Sequence, residues 1–199
     1  MLVDIPKDVQ LQEFTWRWPE SVDLPGYRPT TKGNLKQVRS AAKLIMESKR
    51  PVLYVGGGVI KADAHEELLK LANDGRLPVT TTLMARGAFP DAHELALGMP
   101  GMHGGFTAVT AMQKADLLVA LGARFDDRVT GQLSSFAKDA KIVHVDIDPA
   151  EIGKNRVADV PIVGDCQDVI AKLHAELRRL QDEAGGVPAR TEWLAQLDE

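Results

Sequence analysis

The sequence predicts an α/β fold, a Rossmann-like parallel sheet of about six strands with helices on both faces. Three observations predict it. Five short β-rich runs, PVLYV at 51–55, PVTTTL at 78–83, DLLVAL at 116–121, KIVHVDI at 141–147 and VPIVG at 160–164, are mostly apolar at consecutive positions. That is the pattern of strands covered on both faces. Segments of helical periodicity separate the runs, and glycines follow several of them, where open parallel sheets bind their ligands.

Taken in order, residues 1–33 hold a strand-like LVDI, prolines at 6, 19, 25 and 29 and the aromatic patch FTWRW, with no periodicity linking them to residue 34 and beyond. They read as a linker. The central body is expected over 34–184. In 34–48, Leu35, Val38, Ala42 and Ile45 repeat at helical spacing. ADAHEELLKLAND supplies a second helix, with Asp63 as its expected cap and Gly75 as its stop. FTAVTAMQKA supplies another. In 166–183, Val169, Leu173, Leu177 and Leu180 form one stripe with charged and amide residues opposite. Strand and helix alternate, so right-handed crossovers are expected. Residues 185–199 open on GGVP and run into a short helical TEWLAQLDE, the start of a second linker. Trp16, Trp18 and Trp193 near the two ends are candidates for an interface with other domains.

Composition narrows the function. A chain of 199 residues suffices for one substantial core. The net charge of −4 argues against nucleic-acid binding, since no basic excess exists to neutralise phosphates. The single cysteine, Cys166, excludes an intrachain disulfide and a thiolate zinc cluster and fits a reducing, cytosol-like compartment. No apolar run has bilayer-spanning length, and the amino terminus lacks the regions of a signal peptide.

Candidate chemistry lies after the strands. VGGGV at 55–59 frees backbone for close approach to a ligand, yet Lys61 stands where a GxGxxG fingerprint needs glycine. A tight turn and a ligand contact both fit. GMPGMHGG, at 98–105, carries no charge and is too poor in polar groups to lie bare in solvent, so it reads as a wall packed on a flat ring. His103 has no second ligand at metal spacing. In DIDPAEIGKN, Asp146 and Asp148 end the fourth run: a carboxylate there can accept ribose hydroxyls, or Asp148 can cap a short helix opened by Pro149. Asp165 in VGDC poses the same choice. GARFDDR places Arg124, Asp126, Asp127 and Arg128 at the sheet mouth, as a charge-paired lattice or as an arginine fork aimed at a ligand's carboxylate or phosphate. No Ser–His–Asp set, Walker loop or acid–base carboxylate pair stands out.

GMHG, GARFDDRVTG and DIDPAEIGKN together, with PVLYVGGG and PVTTTLM, resemble the catalytic subunit of the acetohydroxyacid (acetolactate) synthases. The likeness covers nearly the whole chain but only the central domain of that three-domain thiamine-diphosphate enzyme. LVDIPKDV resembles the last strand of its preceding domain, and TEWLAQLDE the lead-in to its following one. The resemblance implies an FAD-binding domain, with thiamine diphosphate and magnesium held outside this chain. The family's GDG…N motif, its thiamine-activating glutamate and an FAD-contacting arginine are not in the chain. An isolated domain of this kind is expected to be inactive.

By motif, the resemblance implies flavin contacts at Gly57, Thr82 and Leu83, with Pro100, Gly101, Met102 and His103 lining the ring. Gly122, Ala123, Arg124, Phe125 and Asp126 come after the third run. Asp146 and Ile147 come after the fourth, and Asp165 and Cys166 after the fifth. Arg128 resembles the arginine that meets the second 2-keto acid, with Met102 beside it in the substrate channel, where herbicides of the sulfonylurea type bind, and Asp127 as its partner. The implied partners are 2-keto acids, further catalytic subunits and a small regulatory subunit, with no nucleic acid and no membrane. The implied role is branched-chain amino-acid synthesis, in the cytoplasm of a bacterium or in an organelle of a plant or fungus. Competing readings are the central domain of a pyruvate oxidase or glyoxylate carboligase, a free-standing nucleotide-binding module, and a spacer without flavin.

Overall fold

The computed structural model describes residues 2–22 and 26–198; Met1, Asp23, Leu24, Pro25 and Glu199, and with them one of the four amino-terminal prolines, lie outside the described residues. All described residues before Gly33 are exposed. LVDI forms no strand there. Among the described residues no strand pairs with it, and a lone extended segment satisfies its backbone in water; a turn of helix, α1 (Lys7–Gln10), comes after it. Phe14, Trp16 and Trp18 form an exposed ladder, with successive ring centroids 6.2 and 5.7 Å apart.

Helix α2 (Leu35–Glu47) starts where the Asn34 side chain accepts the Lys36 amide, and it buries Val38, Ala41, Ala42 and Ile45. Leu35, in its first turn, is exposed. Strand β1 (Pro51–Val55) is buried throughout and leads into the short α3 (Gly57–Lys61) and then α4 (His65–Gly75). Two expectations for α4 fail. Asp63 has φ 51° and gives no cap; the position before the helix is Ala64. At the other end the left-handed residue is Arg76, with φ 48°, so Gly75 does not stop the helix by conformation. Its lack of a side chain serves packing, because a Cβ there would lie 2.8 Å from Leu77.

Strand β2 (Val79–Thr81) ends in a 3-10 turn at Leu83–Ala85, and β3 (Ala96–Gly98) is the sixth strand, half-buried and absent from the five runs. Helix α5 (Phe106–Lys114), β4 (Leu117–Leu121), α6 (Asp127–Thr130), β5 (Lys141–Asp146), β6 (Val160–Val163), α7 (Cys166–Ala184) and α8 (Thr191–Asp198) complete the chain.

All six strands are parallel, in the order β3-β2-β1-β4-β5-β6. Side chains alternate across the sheet. Leu53, Val55, Val119, Leu121, Val143 and Val145 face α2, α4 and α7, whereas Val52, Tyr54, Leu118, Ala120 and Ile142 face α5, Phe125, Phe136 and Trp193. This is the expected Rossmann-like layering. Trp193 departs from its reading as an interface residue: it is buried and donates its indole N–H to Pro51 at 3.3 Å, while Arg190 is buried beside the ends of α2 and α4. Residues 190–197 thus pack on this core.

Candidate functional site

The strand order reverses between β1 and β4, since β2 and β3 lie on one side of β1 and β5 and β6 beyond β4. A sheet of this order opens a crevice at that point, beyond the carboxyl ends of the strands. Glycines make the crevice floor. A Cβ on Gly56 would lie 2.1 Å from the Gly122 carbonyl, and one on Gly58 2.7 Å from the Gly122 Cα. Gly122 itself has φ 57°, a conformation costly to any residue with a Cβ. Its carbonyl accepts the Gly58 amide at 3.1 Å, and its amide donates to Val145 at 2.8 Å. Together these contacts draw the β1, β4 and β5 ends into one surface.

Above it lies a cleft of ≈ 670 Å³, within the range of about 300–1,000 Å³ usual for small-molecule sites. Gly57, Thr82 and Leu83 line it from the β1 and β2 ends, Gly122, Ala123, Arg124, Asp126 and Arg128 from the β4 end, and Asp146 from the β5 end. Leu83 and the neighbouring Met84 are exposed apolar side chains on its wall. Arg86 pins the end of the 3-10 turn by donating to Thr81 Oγ1 at 3.1 Å and pairing with Asp91 at 2.6 Å.

The charges of GARFDDR resolve into two pairs. Arg124 meets Asp126 at 2.7 Å, and Arg128 stands 4.0 Å from Asp127. The Arg124 and Arg128 side chains are 66% and 76% exposed, so neither pair compensates for burial. The charges are paired, as the lattice reading expects, and the arginines are still open to a ligand. Asp126 also accepts the Arg128 amide at 3.1 Å and so caps α6. That amide, with the Arg124 and Arg128 charges nearby, holds the Asp126 carboxyl below the usual carboxylate range. Asp126 therefore stays ionised at neutral pH, and Arg124 presents a held fork to the cleft.

Other expected residues stand outside the lining. Phe125 is 2% exposed, with its ring against Tyr54, Phe136 and His144. Pro100, Gly101, Met102 and His103 flank α6, joined to it by the Met102 amide donating to Arg128 at 3.0 Å. Met102 is 67% exposed in this chain. The loop's own turns meet its backbone needs, the Gly104 amide reaching Gly101 and the Gly105 amide Met99. Ile147 is exposed past the β5 end. Asp165 caps α7, accepting the Gln167 amide at 2.9 Å, and Cys166 is buried against Gly122 with its thiol pushed up to about 12 by burial. A thiol held neutral in this way is inert. Asp148 caps no helix; it accepts the Ala150 amide in a tight turn, and Asp146 accepts the Asp148 amide.

Tyr54, Ile60, Lys61, Met84, Val129 and Glu151 also line the cleft and escaped sequence reasoning. Tyr54 carried a usable signal, a hydroxyl in an otherwise apolar strand one residue from its end. Burial pushes its phenol up, and the hydroxyl donates to the Arg124 carbonyl at 3.1 Å. Among the described residues, no group of three or more His, Cys, Asp or Glu could hold a metal ion, and no helix is long and apolar enough to cross a membrane.

Residues 38–173 match the family model described as thiamine pyrophosphate enzyme, central domain. The whole chain is 60% identical over 198 residues to the acetolactate synthase of Mycobacterium leprae, of which it covers 31%. It is 57% identical to the acetolactate synthase large subunit of Corynebacterium glutamicum, matching 98% of this chain and 30% of that protein. With a probable acetolactate synthase large subunit of Methanocaldococcus jannaschii the identity is 52%, over 99% of this chain and 33% of that one. The chain thus spans about a third of the length of these relatives.

Proposed function

The chain belongs to the family of thiamine pyrophosphate enzyme central domains, and we propose that it is the FAD-carrying middle portion of an acetolactate synthase catalytic subunit. One observation carries this reading. The strand ends marked by resemblance, at Gly57, Thr82, Leu83, Gly122, Arg124, Asp126 and Asp146, line a single cleft at the switch point of the sheet.

The cleft suits a flavin dinucleotide on four counts. Gly56 and Gly58 approach Gly122 so closely that a Cβ at any of the three would collide, which joins the β1 and β4 ends into one floor beneath the cleft. The Arg124 guanidinium, held by Asp126, suits a phosphate oxygen. Asp146 suits ribose hydroxyls, and Leu83 and Met84 offer an apolar wall to a ring. Ala123 is a proposed contact from the lining itself, and Pro100, Gly101, Met102, His103, Phe125, Ile147, Asp165 and Cys166 are proposed contacts from the segments flanking this wall.

In the complete enzyme the flavin would take no net redox part and would support the architecture, while thiamine diphosphate and magnesium, bound outside this chain, would supply the carbanion chemistry that condenses two 2-keto acids. The chain's own residues would position. Arg128, at the rim and largely exposed, would meet the carboxylate of the second keto acid with Asp127 and Met102 beside it. Other catalytic subunits and a small regulatory subunit are the proposed partners.

The test is to add FAD to the purified chain and follow flavin fluorescence and visible absorbance. Stoichiometric quenching is expected. Binding of NAD with no affinity for FAD would replace this reading with a free-standing nucleotide module, and binding of neither would leave a spacer.

A further inference from the structure

Three consecutive carbonyls leaving β4 are each held by a side chain from a different element. The Ala123 carbonyl takes a hydrogen bond from Nε2 of His144 on β5 at 3.0 Å, the Arg124 carbonyl from the Tyr54 hydroxyl on β1 at 3.1 Å, and the Phe125 carbonyl from Nδ2 of Asn155 at 2.6 Å. A carbonyl only accepts, so His144 is the Nε2–H tautomer. Phe125 turns into the core beneath, whereas Arg124 and Asp126 line the cleft and Ala123 stands between core and cleft. Helical and sheet backbone would satisfy such carbonyls itself; here the segment leaves the sheet and is tied down by side chains.

The ties continue outward. Asp126 caps α6 through the Arg128 amide, and the Arg128 carbonyl accepts the Met102 amide at 3.0 Å. A Cβ on Gly101 would lie 2.8 Å from that same carbonyl, so the loop holding Met102 sits tight on α6. Whatever fixes residues 123–126 therefore fixes both Arg124 and the rim carrying Arg128 and Met102.

We propose that Asn155, His144 and Tyr54 form a carbonyl clamp, a set of positioning residues that holds the Arg124–Asp126 segment in its ligand-gripping geometry; the proposal rests on the flavin reading of the cleft. Asn155 and His144 act through the segment, because neither lines the cleft. Asn155 is itself exposed, so truncating it leaves the core intact and makes it the discriminating position.

The experiment uses the 199-residue chain as wild type, Asn155→Ala and Asn155→Gln, with three readouts: FAD affinity by fluorescence quenching, thermal midpoint without FAD, and backbone hydrogen exchange over residues 99–105 and 122–131. Loss of one neutral hydrogen bond predicts FAD binding weaker by about five- to tenfold in Asn155→Ala. The midpoint stays within about 2 °C, exchange quickens in both segments, and Asn155→Gln, which keeps a donor, recovers most of the affinity. If the wild type binds FAD and Asn155→Ala binds it within twofold, the clamp is refuted. Weaker binding that tracks a lowered midpoint makes Asn155 a stabilising residue only and also refutes it. Should the wild type bind no FAD, the functional reading has failed, and exchange decides: faster exchange in Asn155→Ala upholds the clamp, and unchanged exchange overturns it.

Discussion

Gly56 and Gly122 face each other across the ends of β1 and β4 so closely that a Cβ on Gly56 would lie 2.1 Å from the Gly122 carbonyl oxygen and 2.5 Å from the Ala123 Cα. The clashing atoms are backbone, so no side-chain rotation relieves them. Gly56→Ala should force the β1 and β4 ends apart, at a cost of about 1–3 kcal/mol or more. Denaturant unfolding would measure this, and FAD binding should fall with it. A variant with unchanged midpoint and full binding would contradict the close approach.

Arg128 offers the opposite expectation. Its side chain is 76% exposed and its ion pair with Asp127 is stretched to 4.0 Å, so Arg128→Ala should leave stability within about 0.5 kcal/mol of wild type. On the proposed reading, Arg128→Ala in a complete acetolactate synthase carrying this chain should lower kcat/KM for the second keto acid by about ten- to a hundredfold, the size of one charge-assisted hydrogen bond, with flavin content unchanged. Equal losses of flavin and of keto-acid use would show that the two roles are not separate.

The sheet was legible because parallel strands buried on both faces read as runs of consecutive apolar residues, and most of the five did. β3 was not, since Ala96–Gly98 is a three-residue edge strand whose pairing with β2 carries a register shift. The strand-end logic led to Gly57, Gly122, Arg124 and Asp146 because topology dictates where ligand sites lie in such sheets. Lys61 and Glu151 reach the same cleft by tertiary placement, which spacing does not encode. The carboxyl-terminal segment misled for a related reason. GGVPAR has the composition of a linker, yet it delivers Arg190 and Trp193 to buried positions.

Arg190 supports a third expectation. Its guanidinium donates to the carbonyls of Ile45 and Ser48 at the end of α2 and of Gly75 at the end of α4, the last at 2.6 Å. Orphan carbonyls at helix ends need such donors. Burial pulls its pKa down to about 10, so it stays charged at neutral pH. Arg190→Ala would leave several buried acceptors unmet and should destabilise the chain by about 2–4 kcal/mol. Arg190→Lys should recover only part, since one ammonium cannot span the three carbonyls. A loss under about 0.5 kcal/mol in thermal or denaturant unfolding would place residues 190–198 off the core.

His144 sets a pH dependence whose sign is fixed by its surroundings. Burial lowers its pKa from the ordinary 6.5, against the raising influence of the Ala123 hydrogen bond and of Asp146 and Glu151. Nδ1 is buried with no partner, so protonation there would place a donor where nothing accepts. Below pH 6.5 the unfolded chain binds a proton at this position that the folded chain refuses. Stability is therefore full above 6.5 and falls as the pH drops through the interval down to the folded pKa, by at most about 1.4 kcal/mol per pH unit. Comparing wild type with His144→Gln, which keeps a donor for Ala123 and does not titrate, cancels the remaining carboxylates and histidines. The difference in unfolding free energy between the two should narrow from pH 7 to pH 5 as the wild type loses its advantage. A difference constant across that range would mean that His144 carries its proton into the folded state.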